Sequence, residues 1–355
     1  MTKKHPITES LKAATTLPLF VAPLFLNSTP ELVLACVKEG LVPGLPAYGV
    51  WTTQAWEDWL TEIDTGIAKM RAEDPTRKIG PYAANLIFKG GNEHLEDDLD
   101  IVIKHKVPIV LASAQPTKEQ IDRIHGYGGI VFYDVANIDE AKRALEVGAD
   151  GMIAITAGAG GQGSTKNPIA FVNEIRQIFD GPLVLAGCLS TGHDILAAQS
   201  IGADFATMGT RFVATKEARA DQGYKQMIVD SMASDIVYTS AFTGQPANFL
   251  EGSVTASGYD IEKVRREGTT AERVKPAPGE KSKSWVKIWA AGQGVGSCDD
   301  IPTVAVLADR LKAQYAEAKQ EMAEKLGFQF SAAAAPEPAN DAKPAPASAK
   351  AGPKA

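Results

Sequence analysis

The stretch Gly148-Ala149-Asp150-Gly151-Met152-Ile153-Ala154-Ile155 closes one predicted helix and opens one predicted strand, and Gly202-Ala203-Asp204-Phe205-Ala206-Thr207-Met208 does so again. In each, the glycine permits a left-handed helix stop, the Asp opens the strand, and an apolar run without strict alternation follows. Such runs suit strands buried on both faces. Similar runs lie at 18–23, 41–46, 78–85, 107–113, 129–135 and 182–187, which with 151–157 and 205–210 make eight. Helix signals fill the gaps. Thr29 is a candidate N-cap, Pro30 takes the first helical position and Gly40 supplies the stop. Residues 137–148 carry Ile138, Ala141, Ala144 and Leu145 on one face, and 167–179 place Ile169, Phe171, Val172, Ile175 and Ile178 at near-helical spacing. Eight strands alternating with helices over about 210 residues predict an α/β fold, a (β/α)8 TIM barrel over residues 1–215. A doubly wound open sheet is the alternative. It usually has fewer strands, and the first strand here lacks a Gly-x-Gly-x-x-Gly turn.

Beyond the eighth strand, residues 216–330 read as a C-terminal helical cap over the barrel mouth, with helices at 224–233 and 303–326 around a loop-rich stretch, 239–284. Residues 331–355 are mostly Ala and Pro, without aromatic or branched apolar residues, and predict a disordered tail, either a tether or a docking segment. The whole chain has 355 residues, a net charge of −7 and 45% hydrophobic residues, which suits a globular protein with a sizeable core. Mild acidity argues against nucleic acid or an anionic membrane as partner. The sequence contains no run of about 18 apolar residues, so no transmembrane helix is expected, and the first nine residues lack a signal-peptide core. Cys36, Cys188 and Cys298 are too far apart for a metal motif, so no metal site and a reducing, cytoplasmic setting are expected.

In barrel enzymes the chemistry lies just after the C-terminal ends of the strands. Three such junctions are glycine-rich here. Ala157-Gly158-Ala159-Gly160-Gly161-Gln162-Gly163-Ser164 follows the sixth strand, Gly187-Cys188 the seventh, and Gly209-Thr210 the eighth. The first lets backbone approach a flat ligand closely, or is a flexible surface loop. The other two occupy the position where barrels hold a phosphate on backbone amides. Cys188 beside them is either a small packing residue or a thiol lacking a partner, with His193 nearest in sequence. None of the five histidines falls in these junctions, which argues against a Ser-His-Asp hydrolase and a three-histidine zinc site. His94 either reaches the mouth or starts a helix in solvent. Asn85, expected at the end of the third strand, can donate and accept at once toward a ring edge or substrate oxygen. Tyr133, expected at the end of the fifth, either donates to a ring carbonyl or packs beside Phe132.

On these residues the sequence resembles the nitronate monooxygenase family, FMN-dependent barrels related to the flavin-dependent enoyl-acyl-carrier-protein reductases. The shared pieces over about residues 16–325 are Ala22-Pro23-Leu24, Asn85, Gly160-Gly161, Gly187, Thr207-Met208-Gly209-Thr210 and Trp289-Ala290-Ala291-Gly292-Gln293-Gly294. The resemblance implies FMN, with the backbone of Ala22, Pro23 and Leu24 along the flavin ring, Asn85 bonded to it, and Gly160 and Gly161 flanking it. It implies that Gly187, Cys188, Gly209 and Thr210 hold the phosphate. The family's Gly-Gly-His pattern departs here to Gln162, and some relatives have Lys where this chain has Tyr133. A Gln amide accepts no proton near neutral pH, so Gln162 positions substrate rather than acting as a base. A nitronate is already an anion and needs no base. The resemblance therefore implies oxidation of alkyl nitronates by oxygen. An NAD(P)H-dependent FMN reductase acting on a quinone or enoyl thioester is the alternative, as is a flavin-binding protein whose catalysis left with the histidine. An oligomer is left open.

Overall fold

In a computed structural model, residues 5–89, 93–274 and 284–328 are described; the tail expected at 331–355 lies outside them. Eight parallel strands close a barrel. They are β1 (Leu19–Val21), β2 (Val42–Pro46), β3 (Ala83–Phe88), β4 (Ile109–Ala114), β5 (Ile130–Val135), β6 (Gly151–Ile155), β8 (Leu183–Ala186) and β9 (Phe205–Met208). Phe20 of β1 registers with Val42 on one side and Thr207 on the other, which completes the circle. The barrel expectation therefore holds. The third strand differs, beginning at Ala83 rather than 78 and running on to Phe88. Pro81 just before it has no N–H to give a ladder. Asn85 is therefore inside the strand and not at its end.

Alternate residues separate two cores. Phe20, Val42, Ala83, Ile109, Leu111, Phe132, Ile153, Val184 and Phe205 fill the barrel. Phe20 meets Phe132 and Phe205 at centroid distances of 5.3 and 5.5 Å, and each such buried ring contributes roughly 1.5–3 kcal/mol. Helix α1 (Pro6–Ala14) adds Leu11 from the N-terminal end. The opposite parity, including Val21, Val131, Val135 and Met208, packs outward on the helices.

The repeated Gly-Ala-Asp has one physical role in both copies. Gly148 and Gly202 stand at φ of +85° and +109°. The carboxylate of Asp150 then accepts the Val131 amide at 2.7 Å, and that of Asp204 accepts the Leu183 amide at 3.0 Å. Each Asp thus pins its own strand to the neighbouring one. Asp204 also takes Arg176 at 2.7 Å. Asp204→Ala is expected to cost about 2 kcal/mol by leaving a strand amide and a guanidinium short of an acceptor, while the exposed control Asp139→Ala costs under about 0.5 kcal/mol. Urea unfolding of the two variants checks this.

The outer helices are α2 (Pro30–Lys38), α3 (Thr53–Glu73), α4 (Leu95–Lys104), α5 (Lys118–His125), α6 (Ile138–Val147), α7 (Pro168–Arg176) and α8 (Gly192–Ser200). Thr29 takes the N-cap position of α2 and Pro30 is its first residue, as expected, but the Thr29 side chain makes no capping bond. Leu145, Ile169 and Ile178 differ from expectation, being 38%, 54% and 39% exposed. Ile178 lies past the end of α7, whose buried face is Phe171, Val172 and Ile175.

After β9 come α9 (Thr210–Val213), α10 (Gln222–Asp230), β10 (Ile236–Thr239), β11 (Ala247–Leu250), α11 (Glu251–Ala256), α12 (Ile261–Glu267) and α13 (Val304–Lys325). The segment expected to be a helical cap contains a sheet as well. Strands β10 and β11 pair antiparallel, and the third strand is β7 (Gly161–Gln162), from the barrel's own loop, with Ala247 opposite Gln162. Helix α13 packs against α8 and α2 on the barrel wall instead of over the mouth, with Tyr315 donating to Gln199 at 2.7 Å. No helix among the described residues is long and apolar enough to cross a membrane.

Candidate active site

A cavity of about 1050 Å³ opens at the C-terminal ends of the strands. Ala22, Pro23, Leu24, Asn85, Tyr133, Gly160, Gly161, Gln162, Gly187, Cys188, Thr207, Gly209 and Thr210 all line it. Met208 does not. Its parity sends the side chain outward, where it is fully buried in the helix-facing core. Tyr133 lines the cavity and also packs, as one of its two expected roles has it. Phe132 points into the barrel and Tyr133 therefore points out, into the same outer core as Val131 and Val135. Burial raises its phenol's pKa, with Glu140 adding to the rise.

Three glycine segments form the wall by packing on one another. A Cβ on Gly160 would lie 2.7 Å from the Gly292 nitrogen, so only glycine allows the loop after β6 to touch the 290–294 segment. Gln293 donates its amide to Gly158 O at 2.9 Å, and the Thr210 hydroxyl oxygen accepts the Gly292 amide at 2.9 Å. The loop after β6 is thus not a free surface loop. Asn248 of β11 holds it further, donating to Ala159 O at 2.7 Å. Ladder pairing to Ala247 fixes the backbone of Gln162, an exposed residue that lines the cavity.

The floor is polar. Asn85 donates both amide hydrogens, to Leu111 O and to Ser113 Oγ, each at 3.0 Å. A backbone carbonyl can only accept, so the amide nitrogen must face it and Oδ1 is what remains for a ligand. In this arrangement both donors of Asn85 are spent within the protein. Ser113 in turn donates to Asp134 Oδ2 at 2.6 Å. Burial pushes the Asp134 carboxyl up to about 6, the Ser113 bond draws it down, and the charge of Glu140 raises it.

Cys188 has φ of +60° and its thiol lines the cavity, donating weakly to Ala157 O at 3.3 Å. Burial and the charge of Asp194 raise its pKa, the reverse of an activated nucleophile. His193 starts α8 and reaches Glu321 at 4.0 Å, and His94 precedes α4 on the exposed surface. No histidine lines the cavity. Among the described residues no group of three or more His, Cys, Asp or Glu could hold a metal.

Aromatic residues rim the mouth. Phe25 lies 5.8 Å from Tyr48 and 6.5 Å from Trp285 between centroids. Trp285 holds φ of +67°, and Ala114, which also lines the cavity, +72°. With Cys188 they place backbone strain at the site, as functional sites often do. Sequence reading missed Ser113, Asp134, Trp285 and the wall role of Gly292 and Gly294. Counting parity from Asn85 across β4 and β5 finds the first two.

The model of the nitronate monooxygenase family matches residues 63–314. A probable nitronate monooxygenase of Staphylococcus haemolyticus is 29% identical over 326 residues, covering 81% of this chain and 90% of that protein. One from Staphylococcus aureus strain Newman is 25% identical over 280 residues, covering 70% and 78%. Among solved structures, FabK from Thermotoga maritima superposes with a TM-score of 0.72 at 22% identity, covering 91% of this chain and 100% of that one. A nitroalkane oxidase from Streptomyces ansochromogenes superposes with a TM-score of 0.72 at 23% identity, covering 88% and 99%.

Proposed function

The chain belongs to the nitronate monooxygenase family, and from that premise we propose that this flavin-dependent oxidoreductase holds FMN and oxidises alkyl nitronates with molecular oxygen. The observation that carries the reading is Gln162, paired to β11 and placed in the lining of a cavity walled by the glycine loops after β6, β8 and β9. A positioned carboxamide without a histidine suits a substrate that arrives already deprotonated.

The residues fit the cofactor. A Cβ at Gly209 would meet only Ala22 Cβ at 3.5 Å and Leu24 Cδ2 at 3.6 Å, ordinary contacts, so internal packing does not demand glycine there. A ligand lying on the backbone does. Gly187, Cys188, Gly209 and Thr210 are proposed to hold the phosphate, the Thr210 hydroxyl hydrogen remaining free while its oxygen accepts Gly292. Ala22, Pro23, Leu24, Gly160 and Gly161 are proposed to bound the ring, and Asn85 Oδ1 to accept from a ring N–H. When bound, FMN would supply the redox chemistry that couples oxidation of the nitronate to molecular oxygen. Gln162 Nε2 donates to the nitronate oxygens and fixes their direction. The aromatic rim keeps bulk water from the reacting carbon.

The test is anaerobic mixing of the FMN-loaded protein with ethyl nitronate. Visible flavin absorbance is expected to be lost, and NADH or NADPH is expected to leave it unchanged. Bleaching by a pyridine nucleotide and not by the nitronate moves the assignment to a reductase. That second reading draws support from the rim of Phe25, Tyr48 and Trp285, which suits a planar quinone.

A further inference from the structure

The carboxylate at the floor of the cavity has no part in the scheme above. Asn85, Ser113 and Asp134 stand on three adjacent strands and share the inward parity of Leu111 and Phe132. The register of Ala112 with Tyr133 sets Ser113 beside Asp134. All three side chains face the cavity and are bonded in one line, amide to hydroxyl to carboxylate.

We propose that Asp134 is the proton-holding residue of this site, taking one proton from solvent when negative charge enters the cavity, with the Ser113 hydroxyl reversing direction in response. The proposal rests on the FMN and nitronate reading for the source of that charge, which is first the anionic substrate and then the electron pair it leaves behind.

The hydrogen-bond inventory makes the reversal specific. While Asp134 is ionised, the Ser113 hydrogen is committed to Oδ2 and the Ser113 oxygen accepts from Asn85. Once Asp134 is protonated, its own O–H donates to Ser113 Oγ. That oxygen then accepts from both neighbours, and the serine hydrogen turns into the cavity. One proton thus removes a negative charge and creates a donor. The only bonds that change are O–H bonds, one broken on a hydronium ion at the mouth and one formed on Asp134. The proton comes from water at the mouth and returns there when the electron pair passes to oxygen.

Asp134 is poised for this, its carboxyl standing near 6. Of the other ionisable groups at the cavity, Glu140 spends Oε2 on the Ala136 amide, and its charge favours the protonated Asp134. Lys89 and Tyr48 lie at the exposed part of the lining. The Cys188 thiol and the Tyr224 phenol are both pushed up by burial and stay neutral in the acid range. The Tyr133 phenol is raised by burial and by the charge of Glu140, against that of Arg143, and stays neutral there as well.

Two measurements on Asp134→Asn test the proposal. The first is urea stability of the apoprotein against pH. The folded carboxyl binds its proton more tightly than the unfolded one, ordinarily near about 3.9. Its contribution to stability is therefore full in acid and lost as pH rises from about 4 through about 6. The wild type is expected to lose stability relative to the variant over that window, and the gap to stay constant above it. The second is the midpoint potential of the FMN-loaded protein against pH. The variant is expected to become more positive than the wild type above about pH 6, where the ionised Asp134 opposes added charge, and to coincide with it in acid. Ser113→Ala serves as an independent variant. It removes the bond that lowers the carboxyl, so the wild-type break is expected to move to higher pH. Parallel curves in both measurements overturn the proposal. So does an apoprotein titration paired with a potential difference that ignores pH. A protein that takes up no FMN sinks the reading of the preceding section and with it the coupling, while the apoprotein curve still decides whether Asp134 titrates.

Discussion

Gly209→Leu is expected to abolish FMN binding and leave the fold intact. The first added carbon finds ordinary contacts at 3.5 and 3.6 Å. The remaining carbons extend between β9 and Ala22-Leu24, into space that lines the cavity. A weakening of at least about 100-fold is expected, or about 2.8 kcal/mol at 1.4 kcal/mol per decade. Flavin fluorescence titration measures it, and circular dichroism melting of the apoprotein should stay within a few degrees of wild type. Wild-type affinity in a folded variant would show that the phosphate lies elsewhere.

Gln162→His is expected to confer turnover of neutral nitroalkanes. The backbone at 162 is pinned to Ala247, so the new imidazole enters at the mouth already held. A positioned general base is worth roughly 10²–10⁴-fold in rate. The gain should rise with pH through an imidazole titration near about 6.5, because only the neutral ring accepts a proton. Turnover of the preformed nitronate should change by less than about tenfold, since that substrate has no proton to give up. Steady-state rates on nitroethane and ethyl nitronate across pH separate the two effects. No gain on nitroethane would mean that the absent histidine does not explain the substrate preference.

The barrel was legible because its signals are local. Unalternating apolar runs mark strands buried on both faces, and the two Gly-Ala-Asp breaks mark where helices hand over to them. The glycine junctions were legible for a related reason, since few other uses explain such density after a strand. Met208 and Tyr133 both lie on the outward parity of their strands. Strand side chains alternate with a period of two, and a one-residue misjudgement sends a site residue into the helix layer. Asn85 was misplaced along its strand, yet its parity was right and it still lines the cavity. Strand β7 was illegible. Two residues, Gly161 and Gln162, carry no strand pattern, and their partner Ala247 lies far along the chain. Trp285 escaped for the same reason, its place being set by a fold-back to Ile288 and by distant aromatic neighbours.

The interlock of the loop after β6 with the 290–294 segment also dictates when a cofactor can be captured during synthesis. The cavity's first wall is Phe20 and one of its last is Gly294, so no amino-terminal portion that stops short of residue 294 carries a finished pocket. At about 5–20 residues per second, the interval between those two residues lasts roughly 15–55 s. During that time the parallel strands already made expose apolar edges, because β1 closes on β9 only after most of the chain exists. Loading is therefore a step for the completed chain, and a gene split between β6 and residue 290 should yield halves that bind no flavin until they meet.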